Sequence, residues 1–302
     1  MEASPATTVA ALPAGSARAR QLAADLIALT KPKVQSLLLL TTVTTMLVAG
    51  TPSIGLILVV CIGGYLSAGG AGAVNHYYDR DIDAKMERTA TRPIPAGRIA
   101  PKTALWFGVA LSALSVVWLS LLANPLSAGL AFSGFVGYVL LYTVWLKRRT
   151  WQNIVWGGAA GAVPPLVAWA AVTGGLSGMP IYLFAIVFFW TPPHFWALSL
   201  LMKDEYAAVG VPMLPVVRGE RETRRQILLY SVLLYAVTQL PFCAGGLGAI
   251  YLVASLVLGG TLIATAVMLQ RRADRRAALR LYLFSLLYLA LLFAAMVADV
   301  KL

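Results

Sequence analysis

The chain has 302 residues, of which 59% are hydrophobic and only 12% charged, with a net charge of +12 and a mean hydropathy of +0.78. Soluble domains carry about a quarter charged residues, so this composition excludes a water-soluble fold, and its wealth of aliphatic and aromatic residues excludes disorder. Two cysteines in such a length exclude a disulfide scaffold, which leaves a polytopic protein of the lipid bilayer.

Residues 1–30 are rich in Ala, Thr and Pro and lack the apolar core of a signal peptide. They read as a flexible cytoplasmic tail, and residues 31–302 as a single transmembrane domain. A spanning helix needs about 20 apolar residues. Nine stretches qualify, near 34–50, 54–77, 103–122, 127–146, 151–172, 181–201, 227–244, 248–269 and 279–298, free of charge but for Arg280 at the start of the last. They are apolar throughout, without the alternation of spanning β-strands. The expected fold is all-α: nine transmembrane helices around a central cavity open toward the cytoplasmic side.

The charges fall on alternate loops. Every lysine and arginine except Lys301 lies before the first span or in the loops after the second, fourth, sixth and eighth. The positive-inside rule makes that side cytoplasmic. The chain then reads as multi-pass in the cell inner (plasma) membrane, with its N-terminus inside and its C-terminus on the opposite side. The positive charge is thus a topology signal, and without a basic aromatic module it does not indicate nucleic-acid binding.

The second span ends in Asn75-His76-Tyr77-Tyr78-Asp79-Arg80-Asp81-Ile82-Asp83. If the helix continues, Asn75, Asp79 and Asp83 share one face, because each four-residue step rotates about 40° and rises about 6 Å. Two carboxylates and an amide oxygen that would otherwise repel suit a hard divalent cation, and Mg2+ usually completes its shell with phosphate. Lys85, Arg88, Arg92 and Arg98 follow closely enough to grip that phosphate. Asp81 falls on the far side of such a helix, as a metal ligand or as an i, i+4 partner of Lys85.

The sixth span contains Trp190-Thr191-Pro192-Pro193-His194-Phe195-Trp196 and ends in Lys203-Asp204-Glu205. Pro192 and Pro193 should bend it. Asp204 and Glu205 are candidate second metal ligands, with Lys203 a phosphate contact, so two acidic half-sites would face each other across one cavity. Thr223-Arg224-Arg225-Gln226 has the pattern of a capping box opening the seventh helix. His194 should lie roughly 13 Å below the inner boundary, where ionisable groups point to function; the alternative is a neutral histidine bonded to a freed carbonyl. His76, beside the stripe, could be a base, a ligand or an interfacial residue. Trp156, Trp169, Trp190 and Trp196 could shelter a carbocation or anchor the helices at the interface.

A Mg2+–diphosphate site at the mouth of an apolar bundle suggests a lipid diphosphate substrate and prenyl transfer. Asn75-x-x-x-Asp79-x-x-x-Asp83 resembles the first aspartate motif of the intramembrane (UbiA-type) prenyltransferases. Three blocks resemble the heme-farnesylating branch of that family: Asp79 through Pro93, Pro192-Pro193-His194-Phe195, and Gly210 through Val217. The resemblance covers residues ~30–300 and implies farnesyl diphosphate as donor, protoheme IX as acceptor, and Mg2+ as cofactor. It also implies heme-copper oxidase assembly proteins or heme A synthase as partners. His194 and His76 are candidate heme-binding residues. The wider family often has two acids four apart in its second motif, and here Ala208 stands four after Asp204. The rival readings are the same fold acting on another aromatic or quinone-precursor acceptor, a secondary transporter, and a non-catalytic heme-binding protein.

Overall fold

The structure, a computed structural model, describes residues 15–302. Among the described residues, nine helices are long and apolar enough to cross a membrane: Pro32–Ala49, Ile54–Tyr78, Pro101–Leu122, Pro125–Leu146, Asn153–Thr173, Gly178–Leu201, Gly219–Cys243, Ala249–Arg272 and Arg275–Lys301. Each expected span is matched. The largest difference lies at the seventh, where Gly219–Arg225 add two charged turns before the apolar run. Thr223 is therefore interior to the helix, its hydroxyl donating to the Gly219 carbonyl at 2.8 Å, and the expected capping box does not form.

Neighbouring spans pack in chain order and the ninth returns to the first, so the bundle closes on itself, with the first also crossing to the fifth and the sixth to the ninth. Small residues set the tightest crossing. A Cβ added at Gly70 would stand 2.6 Å from the Gly108 carbonyl oxygen, and one at Gly108 would stand 2.6 Å from that of Gly70. The second and third spans thus touch backbone to backbone, the use that membrane helices make of glycine. Ser115 Oγ, donating to the Gly63 carbonyl, and Trp118 Nε1, donating to that of Val59, extend the seam.

The fourth span turns from α-helix to π-helix over Gly137–Leu146, and the fifth breaks between Gly161 and Pro164. The sixth runs unbroken through Pro192 and Pro193, so the expected bend leaves no interruption. The second half of the segment read as a flexible tail is ordered: Gly15–Leu29 forms an α-helix that buries Asp25 and Leu29. Residues 1–14 lie outside the described residues.

Candidate functional site

The long helix of the second span stops at Tyr78, yet the i→i−4 bonding carries on across the junction. Asp79 N–H donates to the Asn75 carbonyl at 2.9 Å and Asp83 N–H to that of Asp79 at 2.7 Å, with Arg80–Asp83 as one further helical turn. Asn75, Asp79 and Asp83 therefore share a face, as their spacing predicts. With His76 they are all 4% exposed or less.

Basic residues meet this stripe from three elements. Lys147, just beyond the π-helix, contacts Asp79 Oδ2. Arg92 Nη1 donates to Asp83 Oδ2 at 2.7 Å. Lys31, immediately before the first span, donates to Asn75 Oδ1 at 2.6 Å. Asn75 Nδ2 in turn donates to Asp79 Oδ2 at 2.8 Å and to Thr143 Oγ1 at 3.1 Å. The stripe's mutual repulsion is thus relieved by the chain's own cations. Among the described residues, no three His, Cys, Asp or Glu side chains stand together closely enough to hold an ion.

Three cations facing two carboxylates leave the centre electropositive. Burial, reinforced by repulsion from Arg92 and Lys147, pulls Lys31 down to about 7. An incoming anion would favour its charged form. Sequence reasoning counted Lys31 and Lys147 as topology charges and missed both. Their signal lies in a register that spacing does not reveal. The π-helix sets that register for its end of the site, with Thr143 Oγ1 donating to the Tyr138 carbonyl and Lys147 N–H to that of Tyr142. Such segments occur often at functional sites.

Two buried groups keep unused capacity. Asp79 Oδ1 accepts no hydrogen bond, and the Arg148 guanidinium is 3.9 Å away. Neither ring nitrogen of His76 has a hydrogen-bond partner, although Nδ1 lies 3.8 Å from Asp83 Oδ2.

The remaining basic candidates disperse. Lys85 and Arg88 are exposed at the surface of the loop. Arg98 is turned to Asp25 and Lys203 to Glu220, because each finds a carboxylate outside the stripe. Asp81 pairs neither with Lys85 nor with the stripe. Arg148 grips it in bidentate fashion at 2.6 and 2.8 Å, and that hydrogen bonding holds its carboxyl down at about 2. This pair ties the loop after the second span to the loop after the fourth.

The loops after the second and sixth spans come together through apolar residues, and neither Asp79 and Asp83 nor Asp204 and Glu205 line the cavity between them. Ile82 and Met86 from the first pack in one apolar cluster with Val211, Met213 and Leu214 from the second. Gly210 permits the turn with φ 68°. A cavity of about 80 Å³ lies between them, lined by Asp81, Ile82, Lys85, Arg148 and residues 209–211. On the second loop Asp204 is exposed, while Glu205 Oε2 is buried without a partner. Tyr206 lies within electrostatic reach of Glu205, Arg88, Arg92 and Asp79, and burial is the main force raising its phenol.

His194 stands apart from the stripe. Its ring stacks on Trp190 (4.4 Å between centroids) and on Tyr282 (4.8 Å), and Nδ1 meets Ser285 Oγ at 2.7 Å. The alternative reading gives it a carbonyl freed by the prolines as partner, and a hydroxyl from the ninth span takes that place. Trp190 and Trp196 are buried, whereas Trp156 is exposed on the outer face of the bundle.

Comparison with known proteins follows the same lines. Residues 38–293 match the UbiA prenyltransferase family. The chain is 55% identical over 282 residues to the protoheme IX farnesyltransferase of Chloroflexus aurantiacus, covering 93% of this chain and 48% of that protein. It is 53% identical over 284 residues to the protoheme IX farnesyltransferase of Symbiobacterium thermophilum, covering 93% and 95%. The chain thus spans about half the length of the first relatives it matches and nearly all of others. Among solved structures, a UbiA homolog from Archaeoglobus fulgidus bound to DMAPP and Mg2+ shares the fold with a TM-score of 0.68 at 16% identity, over 90% of this chain and 99% of that one. A digeranylgeranylglyceryl phosphate synthase structure gives 0.77 at 18% identity, over 93% and 99%.

Proposed function

The chain belongs to the UbiA prenyltransferase family, and we propose that it transfers the farnesyl group of farnesyl diphosphate to a vinyl group of protoheme IX, with water supplying a hydroxyl and pyrophosphate leaving. The observation that carries this reading is the buried Asn75–Asp79–Asp83 stripe set among Lys31, Arg92 and Lys147. Carboxylates arranged to bind a cation sit beside basic groups arranged to bind an anion, as a metal diphosphate requires.

The donor set fits Mg2+: hard oxygens, one of them the buried Asp79 Oδ1 with no donor of its own. Asp79 and Asp83 would hold the ion, with Glu205 and Asp204 completing a second half-site from the facing loop. Bound there, Mg2+ supplies Lewis-acid neutralisation of the leaving pyrophosphate. The protein's own groups do the rest. Lys31, Arg92 and Lys147 hold the diphosphate, with Lys85 and Arg88 near its entry, while Asn75 keeps Asp79 oriented through its amide. The apolar interior in which Trp190 and Trp196 are buried would keep premature water from the allylic cation. His194, with Nδ1 committed to Ser285, would meet heme through Nε2, and His76 is the second candidate.

By this reading the basic side faces the cytoplasm of a bacterial inner membrane, and the farnesylated heme passes on to heme A synthase or oxidase assembly. The test is mass spectrometry of hemes extracted after the purified protein is incubated with protoheme, farnesyl diphosphate and Mg2+. A farnesylated, hydrated heme is expected. Pyrophosphate release with the heme unchanged would refute the acceptor. Absence of pyrophosphate release would refute prenyl transfer and favour a transporter.

A further inference from the structure

Lys31 reaches the stripe by an unusual route. Its backbone is left-handed, with φ 55° and ψ 58°, a conformation that is strained for a non-glycine residue and persists only where its surroundings enforce it. The enforcing contacts are specific. Leu29 and Thr30 lie in a shallow trough on the second span made by two glycines: a Cβ at Gly69 would come 3.0 Å from Thr30 Cβ, and one at Gly72 would come 3.1 Å from the Leu29 carbonyl oxygen. Thr30 Oγ1 bonds Tyr65 Oη at 2.7 Å, and Gln35 Nε2 donates to the Thr30 carbonyl at 3.0 Å.

Upstream, the Gly15–Leu29 helix is fastened to the loop after the second span. Arg98 Nε donates to both oxygens of Asp25 at 3.0 and 3.1 Å, and Arg98 Nη2 also donates to the Thr91 carbonyl at 3.1 Å. The Asp25 side chain is only 6% exposed. Below this pair, Leu26 and Leu29 pack on Ile94 and Ile99 of the same loop. That loop also carries Arg92, which holds Asp83.

We propose that the Asp25–Arg98 ion pair is a clasp that closes the N-terminal helix on this loop and so seats the Lys31 ammonium at Asn75, making Asp25 and Arg98 positioning residues for a diphosphate-binding lysine. The diphosphate role rests on the function proposed above; the clasp itself does not. Opening the clasp releases the end of the helix, relaxes the left-handed backbone at Lys31 and withdraws its Nζ from the stripe. Arg98, whose place in the sequence suggests a phosphate ligand, acts instead through Lys31.

Two measurements on the full-length protein in nanodiscs test this separately. The first is acetylation of lysines by acetic anhydride at about pH 10 without substrate, where a released lysine keeps a substantial neutral fraction and the rate reports access, read residue by residue by peptide mass spectrometry. Asp25→Asn and Arg98→Gln should each raise the Lys31 labelling rate roughly tenfold, within the usual range of coupling between linked sites, and leave Lys147 unchanged. The reversed pair, Asp25→Arg with Arg98→Asp, should restore protection, which a general loosening of the fold would not do. Lys31 labelling at the wild-type rate in both single variants overturns the clasp. If the single variants unfold, as uniform labelling of all lysines would reveal, the reversed pair decides: Lys31 protected supports the clasp, and Lys31 reactive in a folded protein overturns it. The second measurement is pyrophosphate release, where the single variants should raise KM for farnesyl diphosphate roughly tenfold with kcat little changed. No release by the wild-type protein would overturn prenyl transfer, while the labelling still judges the clasp.

Discussion

Replacing Lys147 by glutamine should move two quantities in opposite directions. The Lys147 ammonium occupies Asp79 Oδ2, with the Asp79 side chain 2% exposed and that of Lys147 15% exposed. A hydrogen bond to a charged group under such burial contributes about 1.5–3 kcal/mol, and each 1.4 kcal/mol is a factor of ten. The lysine therefore competes with any metal ion for that oxygen. Glutamine can still donate a weaker bond and Asn75 continues to orient Asp79, so the lower end applies: Mg2+ affinity in the absence of diphosphate should tighten by about tenfold. The diphosphate loses a cation in the same substitution, so KM for farnesyl diphosphate should rise by about tenfold or more. Isothermal titration with Mg2+ reads the first quantity and steady-state pyrophosphate release the second. Unchanged or weaker Mg2+ binding would refute Asp79 as a metal ligand. Unchanged KM would refute Lys147 as a diphosphate contact.

Other expectations are simpler. Asp79→Asn and Asp83→Asn should each lower turnover by about a hundredfold or more while the protein still inserts and keeps its helical circular dichroism; wild-type rates in both would dismiss the metal assignment. His194→Ala should weaken protoheme binding measured by Soret absorbance; unchanged affinity and turnover would remove His194 from the acceptor site. Gly108→Ala drives a methyl group against the Gly70 carbonyl oxygen and should destabilise by about 1–3 kcal/mol, as overpacking does, read as a lowered melting temperature in detergent. A melting temperature equal to wild type would show that the crossing can relax.

Much of this molecule is legible before any coordinates. The nine spans follow from uninterrupted apolar length, and the stripe follows from helical spacing. The structure needs Tyr78 to end one helix and Arg80 to begin another, yet the four-residue rhythm survives because backbone bonding bridges the junction. Charged residues were harder to place. Arg92 and Arg98 are both arginines of one loop, and only the fold sends the first to Asp83 and the second to Asp25. Lys31 and Lys147 were hidden for a related reason: one depends on a left-handed residue and the other on a π-helical register, and neither has a sequence signature. The N-terminal helix was concealed by its mixture of alanines and charges, which spreads no long apolar run and gains order by docking.

The crossing of Gly70 on Gly108 has a mechanical meaning. With no side chains between them, the second and third spans form a stiff blade, and Asn75 stands little more than one turn beyond its tightest point. The stripe therefore rides on a fixed jaw. On the function proposed above, the movement that admits a donor and releases diphosphate would then fall to the opposing jaw, the short helix Lys203–Ala208 and the glycine turn that follows it.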